Sequence, residues 1–143
     1  MPSITGANAT FLLAIATLFP APQQLQGFAA DDVFGSDPID STEFLMGVDG
    51  FMSSGFVFVP VRMSVHLQAD SPSNFIFDTW YSAQQVARDV FPASATVLLT
   101  AIGTKYTLQN GVLTSYKPTS DAKKLLQPRT HTITWNSISP APS

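Results

Sequence analysis

The chain has 143 residues, the usual length of one domain and enough to bury a continuous core. It contains no cysteine, which excludes disulfides and thiolate metal sites. Apolar residues make up 45% of the chain and charged residues only 12%, so much of the surface must be covered by something other than charge, and contacts between subunits are favoured.

Charge is distributed unevenly along the chain. Residues 1–61 contain six acidic side chains and no Lys or Arg, whereas residues 62–143 contain all seven basic side chains against four Asp. If the two halves form opposite ends of the folded protein, head-to-tail contacts between copies would bring unlike charges together. The alternative is that these charges are distributed by chance and are exposed to solvent without a partner.

The N-terminal half predicts strands separated by turns. Residues 9–18 are apolar on both alternating faces, which is typical of a strand covered on both sides. No basic residue precedes this run, which argues against a signal peptide, and no segment is long enough to span a bilayer. Pro20 and Pro22 are expected to end the strand. The segments that follow are a short strand over 23–28, a loop over 29–40, a strand over 42–46 and a long loop near 47–56.

The stretch from 42 to 58 is unusually apolar for a region rich in turn residues. Loops are normally exposed to water, so apolar side chains within them need a cover. A neighbouring subunit can supply that cover, and we therefore predict a self-association surface. Its residues are Phe44, Met46, Asp49, Phe51, Met52, Phe56 and Phe58.

Residues 61–68 alternate between apolar and polar side chains, which predicts a strand with one core face and one wet face. Ser71-Pro72-Ser73 then favours a helix start, since Ser is a common N-cap and Pro is tolerated at the first helical position. An apolar stripe at helical spacing follows, and Phe91-Pro92 is expected to end the helix. The stripe consists of Ile76, Trp80, Ala83, Ala87 and Val90.

The C-terminal part predicts a strand over 96–102 and a hairpin centred on Asn110-Gly111, a frequent type I′ turn pair, with Leu108 opposite Leu113. A polar connection over 118–128, a strand over 130–138 and a short tail complete the chain. The fold class expected is mainly β, an antiparallel barrel or sandwich of about seven or eight strands with one flanking α-helix. Residues 1–143 are expected to form a single domain with short tails at both ends.

Residues for catalysis are sparse. His66 and His131 lie on separate predicted strands without a carboxylate at useful spacing, so neither is expected to act as a base. Lys123, Lys124 and Arg129 form a small basic cluster, interpreted as a solvated patch or a salt contact between subunits. We predict no catalytic, cofactor or metal site.

Five short phrases, taken in order, resemble the tail tube proteins of bacteriophages with contractile tails. They are residues 4–10 (ITGANAT), 27–32 (GFAADD), 46–50 (MGVDG), 67–73 (LQADSPS) and 123–129 (KKLLQPR). The resemblance implies a small β-barrel or sandwich with one helix, six subunits per ring, and rings stacked into a sheathed tube that conducts DNA into the host. Related folds form the tubes of pyocins and type VI secretion systems, and no catalysis is implied.

On this hypothesis the protein is a structural virion protein of the tail, made in the host cytoplasm, without cofactors. Its expected partners are further copies of itself and the sheath, baseplate and tail terminator proteins, while DNA passes without sequence-specific binding. Small polar side chains would suit a channel wall, although Arg62 fits less well and the opposite face could line the channel instead. The candidates for the channel wall are Arg62, Ser64, His66, Gln68, Thr130, Thr132, Thr134 and Asn136.

A calcium-dependent carbohydrate-binding β-sandwich is the alternative function. The aspartates between Asp31 and Asp40 could hold calcium, although their spacing does not match an EF-hand. Aromatic side chains would then offer surfaces on which sugars stack. Those residues are Trp80, Tyr81, Tyr116 and Trp135.

Overall fold

The computed structural model describes residues 9–28, 34–100 and 102–142. These residues form ten strands and one helix. In chain order they are β1 (Ala9–Ile15), β2 (Phe19–Gln24), β3 (Phe34–Ser36), β4 (Thr42–Met46), β5 (Met52–Phe56), β6 (Val61–Leu67), α1 (Asn74–Ala87), β7 (Ala93–Leu99), β8 (Thr104–Ser115), β9 (Arg129–Trp135) and β10 (Ser137–Pro142).

Eight strands form one antiparallel sheet in the order β2-β1-β7-β8-β9-β6-β3, with β10 also paired to β8. The first half of β8 pairs with β7 and β10 and its second half pairs with β9, so β8 belongs to two layers. Phe11 of β1 meets Phe34 of β3 with ring centroids 5.4 Å apart, which shows that the two ends of the sheet face each other. The predicted mainly β class is confirmed, and the architecture is sandwich-like, not a closed barrel.

The core lies between these layers and is completed by α1. Phe11, Leu13 and Ile15 point inward from β1, and the predicted alternation of β6 is confirmed. Its buried side chains are Val61, Met63, Val65 and Leu67. Removing such side chains from water is the main favourable term in folding, about 1.5–3 kcal/mol for each large aliphatic group.

The predicted hairpin at Asn110-Gly111 is wrong, because β8 continues through both residues as one strand. A type I′ turn needs positive φ at both central residues, but only Asn110 has it, with φ 51°. The register of β7 on β8 is irregular beside this point, as expected where a strand bends. Gly111 is required for a different reason: a Cβ there would lie 2.3 Å from the Trp135 ring.

Three segments predicted as loop or tail contain strands. β3 lies in the predicted loop over 29–40, β5 occupies the second half of the predicted loop near 47–56, and β10 replaces the predicted C-terminal tail. Pro20 and Pro22 lie within β2, where they are tolerated because β2 is an edge strand. Residues 1–8, predicted as the other tail, lie outside the described residues.

Helix α1 begins at Asn74, two residues after Pro72, and ends earlier than predicted. Ser73 precedes it, and its hydroxyl accepts a hydrogen bond from the Gln26 backbone N–H at 2.7 Å, which ties the helix start to the chain after β2. The helix ends at Ala87 because Arg88 adopts a left-handed conformation, with φ 52°. The first two turns of the predicted stripe are buried, whereas Val90 is exposed beyond the helix. No helix in the described ranges has the length and apolar character needed to cross a membrane.

Candidate functional site

Strands β4 and β5 form a two-stranded hairpin that stands apart from the main sheet. Among the described residues they pair with each other and with no strand of that sheet. Their register places Phe44 opposite Ser54 and Met46 opposite Met52. An isolated two-stranded hairpin is at best marginally stable in water, so this element needs a further contact.

The predicted self-association residues are concentrated on this hairpin. Residues that pair directly share a face, and this face carries Phe44, Met46, Met52 and Phe56. Between 59% and 68% of each of these side chains is exposed. Phe58 packs edge-on against Phe56, with ring centroids 5.0 Å apart. An exposed apolar patch on this scale is typical of an interaction surface.

The hairpin turn is shaped by Asp49. Its carboxylate accepts a hydrogen bond from the Phe51 backbone N–H at 3.2 Å, while Gly47 N–H donates to the Phe51 carbonyl at 2.7 Å. Gly50 adopts φ 88°, which glycine permits without strain. Asp49 therefore organises the turn, and the exposed Phe51 ring marks its tip.

The predicted channel residues are brought together on one face of the main sheet. β6 and β9 pair so that Arg62 lies opposite Thr134, Ser64 opposite Thr132, and His66 opposite Thr130. We call this set the polar stripe. Its members are Arg62, Ser64, His66, Thr130, Thr132 and Thr134. The alternate residues of both strands point into the core, so the stripe lies on the face away from α1. Its central residue Thr132 is nevertheless buried, with 8% of it exposed.

Hydroxyl groups of the polar stripe are largely satisfied by one another. His66 Nδ1 is 3.0 Å from Thr130 Oγ1, and Ser64 Oγ is 3.4 Å from Thr132 Oγ1. The Thr114 hydroxyl donates to Thr134 Oγ1, which extends the stripe onto β8. The sequence did not indicate Thr114, because the predicted hairpin did not place this half of β8 beside β9.

The remaining two channel candidates lie outside these strands. Gln68 follows the last residue of β6, and Asn136 lies between β9 and β10. Both are exposed. They extend the polar surface beyond each end of the stripe instead of pairing across it.

A buried polar network docks α1 against β9, and it corrects the interpretation of Arg129. The sequence placed Arg129 in a surface cluster, but its side chain is buried and its Nη2 lies 2.8 Å from Asp78 Oδ1. Its Nε donates to the Lys117 carbonyl at 3.0 Å, and the Tyr116 hydroxyl also donates to Asp78. Partial burial favours the neutral carboxyl, but hydrogen bonds from Arg129 and Tyr116 outweigh it and lower the pKa of Asp78.

His131 is fully buried in the same network. Its ring stacks on Phe77 at 4.3 Å, its Nδ1 accepts the Lys117 N–H at 3.4 Å, and its Nε2 lies 3.3 Å from Asn74 Oδ1. Burial, and then the positive charge of Arg129, lower the pKa of His131 to about 4. The imidazole is therefore neutral near pH 7 and serves to hold the helix in place.

The aromatic residues predicted to stack on sugars in the carbohydrate-binding alternative do not form the expected surface. Trp80 and Trp135 are fully buried, so the expectation that they form stacking surfaces is wrong. Tyr81 is stacked on Tyr116, with ring centroids 4.5 Å apart. Asp31 and Asp32 lie outside the described residues, and within the described ranges no three acidic or histidine side chains form a group suited to a metal.

A family model described as "Tail fiber protein gp32" matches residues 2–139. The chain belongs to this family. Membership in the gp32 family indicates a structural, tail-associated role. No match was found among curated proteins.

Solved structures of contractile injection systems share the fold of this gp32 family member. It is similar to a chain of the anti-feeding prophage tube terminating cap, with a TM-score of 0.64 and 14% identity over 100% of this chain and 93% of the other. A chain of the anti-feeding prophage baseplate matches with a TM-score of 0.62 and 11% identity, over 99% of this chain and 97% of the other. A chain of the PVC sheath-tube complex matches with a TM-score of 0.58 and 13% identity, over 93% of this chain and 88% of the other. The resemblance to tail tube proteins is thereby confirmed at the level of the fold.

Proposed function

We propose that this protein assembles into rings that stack into a tail tube, through which DNA passes into the host. The observation that carries the proposal is the separate β4–β5 hairpin, whose apolar face lies exposed. Covering that face with a neighbouring copy would remove several large apolar side chains from water, at about 25 cal/mol per Å². Ring closure and stacking both use contacts between unlike surfaces, which such a hairpin can provide.

The polar stripe is the proposed wall of the channel. It lies on the face away from α1, and its hydroxyl groups are occupied by hydrogen bonds within the stripe. Phosphate binding depends mainly on unpaired Lys and Arg, so a wall built largely from Ser and Thr would let DNA slide with little retention. Arg62 is the charged exception at one end. No catalytic step is proposed.

Six subunits per ring follow from the sequence resemblance, and the similar baseplate structure is described as 6-fold symmetrised. Similar folds in a cap, a baseplate and a sheath-tube complex also support sheath, baseplate and terminator proteins as partners. The virion tail is the proposed location.

Electron microscopy of the purified protein tests the proposal directly. We expect rings or hollow filaments at high protein concentration, with a central channel in views along the axis. Sedimentation velocity over a wide concentration range provides the complementary measurement. A species that stays strictly monomeric in both experiments would refute the proposal.

Substitution in the hairpin separates assembly from folding. Phe51→Asp should abolish assembly, because a charge at the apolar contact would be buried without a partner. The isolated subunit should keep its fold, since Phe51 is mostly exposed and surface changes usually alter stability by about 0.5 kcal/mol or less. Circular dichroism checks the fold, and Val86→Asp on the exposed part of α1 is the control.

A further inference from the structure

Two exposed surfaces lie at opposite ends of the same pair of strands. The first, which we call the hairpin pole, is the β4–β5 hairpin, which connects through residues 57–60 to the start of β6 at Val61. The second, which we call the lysine pole, is the segment 121–128, which leads into β9 at Arg129. Since Arg129 pairs with Leu67 at the end of β6, the two poles are separated by the length of that strand, about 20 Å at 3.3 Å per residue.

The lysine pole is apolar as well as basic. Leu125 is 76% exposed and Leu126 is 62% exposed. With Pro128 and the residues directly after β6, they line a shallow depression of about 520 Å³. An exposed apolar depression beside charged groups is typical of a contact surface, with an apolar centre and a polar rim.

Charges at the two poles are opposite in sign. The hairpin carries Glu43 on one strand and Asp49 in its turn, and neither forms an ion pair among the described residues. At the other pole Lys123 and Lys124 are likewise exposed and unpaired within the described ranges, whereas Lys117 pairs with Asp121. Among the described residues that line the depression, Asp70 is the charged one, and the two exposed lysines directly precede Leu125 in the chain.

We propose that the hairpin pole of one copy docks on the lysine pole of the next copy. This rests on the proposed tube function and names the surface that receives the hairpin. Phe51 and its apolar neighbours would cover Leu125 and Leu126, while the lysines would face Asp49, which lies in the same turn as Phe51. Rim charges of this kind set orientation and add little affinity, so the apolar contact supplies most of the binding.

The direction of this contact has a consequence for the channel. Because the contact joins opposite ends of β6 and β9, it repeats along the direction of those strands. The polar stripe runs along the same two strands, from Arg62 and Thr134 near the hairpin to His66 and Thr130 near the lysine pole. Stacking in this direction would therefore join the stripes of successive copies into one continuous polar surface.

Cysteine cross-linking tests the contact, because the chain has no cysteine of its own. Phe51→Cys and Leu125→Cys are prepared as separate proteins and mixed, so that any disulfide must join two copies. Phe51→Cys mixed with Val86→Cys is the matched control, since Val86 is at least as exposed as Leu125 but lies on α1. Residues held together in an assembly have an effective concentration near the millimolar range, so we expect the first mixture to cross-link at least about tenfold faster.

The outcomes distinguish this contact from tube formation itself. If microscopy shows assemblies but the 51–125 disulfide forms no faster than the 51–86 control, the proposed contact is wrong and the tube proposal stands. If the wild-type protein never assembles, both are wrong. Should Phe51→Cys weaken assembly, Ser54→Cys, which lies opposite Phe44 on the apolar face of the hairpin, replaces it in the same comparison.

Charge reversal provides an independent measurement. The double variant Lys123→Glu/Lys124→Glu should weaken assembly, because it would place like charges beside Asp49 of the next copy's hairpin. Lys105→Glu, a charge change on β8, is the control that should leave assembly in place. Equal effects of the double variant and the control would contradict the docking proposal.

Discussion

Acid should destabilise this protein chiefly through His131. The pKa of His131 in the folded protein is about 4, against 6.5 for the free side chain, because burial and then Arg129 disfavour the charged imidazole. The folded state therefore holds His131 in its neutral form. The stability that depends on this neutral form is fully present above about pH 6.5 and is lost as the pH falls towards 4. The difference between the two pKa values corresponds to about 3 kcal/mol, a large part of the free energy of unfolding of about 5–15 kcal/mol that is typical of a domain.

Urea denaturation between pH 7.5 and 4, followed by circular dichroism at low protein concentration, measures this effect. The free energy of unfolding of the wild type should decrease by about 3 kcal/mol across that range. Asp78 affects the pH dependence of stability only below pH 4, since its pKa lies below the ordinary value of 3.8. Its stabilising charge is lost only at still lower pH.

The variant His131→Gln should remove most of the pH dependence. Glutamine can still donate to Asn74 Oδ1 but cannot gain a charge, although losing the stacking on Phe77 lowers stability at neutral pH. His66→Gln, on the partly exposed polar stripe, should retain the wild-type decrease. A wild-type stability that stays constant down to pH 4, or an equal decrease in His131→Gln, would refute the reasoning.

Two further substitutions test the packing. Gly111→Ala should destabilise the fold by about 1–3 kcal/mol, because the added methyl group would overlap the indole ring that covers this position. In the control Gly55→Ala no atom lies within 4 Å of the new methyl group, so its stability should be nearly unchanged. Equal melting temperatures for the two variants would show that the close approach of Gly111 to Trp135 is not required. Arg129→Met should cost about 1–3 kcal/mol in urea denaturation and loosen α1, because its carboxylate and phenol partners lose their hydrogen bonds. Lys117→Met, which breaks only an exposed ion pair, should change stability by about 0.5 kcal/mol or less, and a loss as large as that of Arg129→Met would contradict the docking role.

Local patterns predicted the elements whose formation depends on neighbours in the chain. The alternation of residues 61–68 identified β6 and its two faces, because one side of that strand is core and the other is not. Ser71-Pro72-Ser73 marked the start of α1 to within two residues. The apolar character of residues 42–58 likewise indicated side chains without a cover inside the subunit, and they are exposed.

Patterns failed where a distant part of the chain decides the conformation. Asn110-Gly111 has the composition of a tight turn, but here the glycine accommodates Trp135, which lies far along the sequence. Arg129 has the charge of a surface residue, but Asp78 on α1 holds it in the interior. In both cases the deciding partner belongs to another element, and no local signal reports it.

The sequence by itself determined the mainly β class, the single helix, the two faces of β6, and the surplus of apolar side chains over residues 42–58. Only the tertiary structure decided that β8 bridges two layers, that the two halves of the polar stripe lie side by side, and that the hairpin and the lysine pole lie at opposite ends of the same strands. The physical reason is that alternation and turn chemistry depend on a few adjacent residues. Strand pairing, by contrast, is decided by the packing of the whole core, which selects one of many locally acceptable registers.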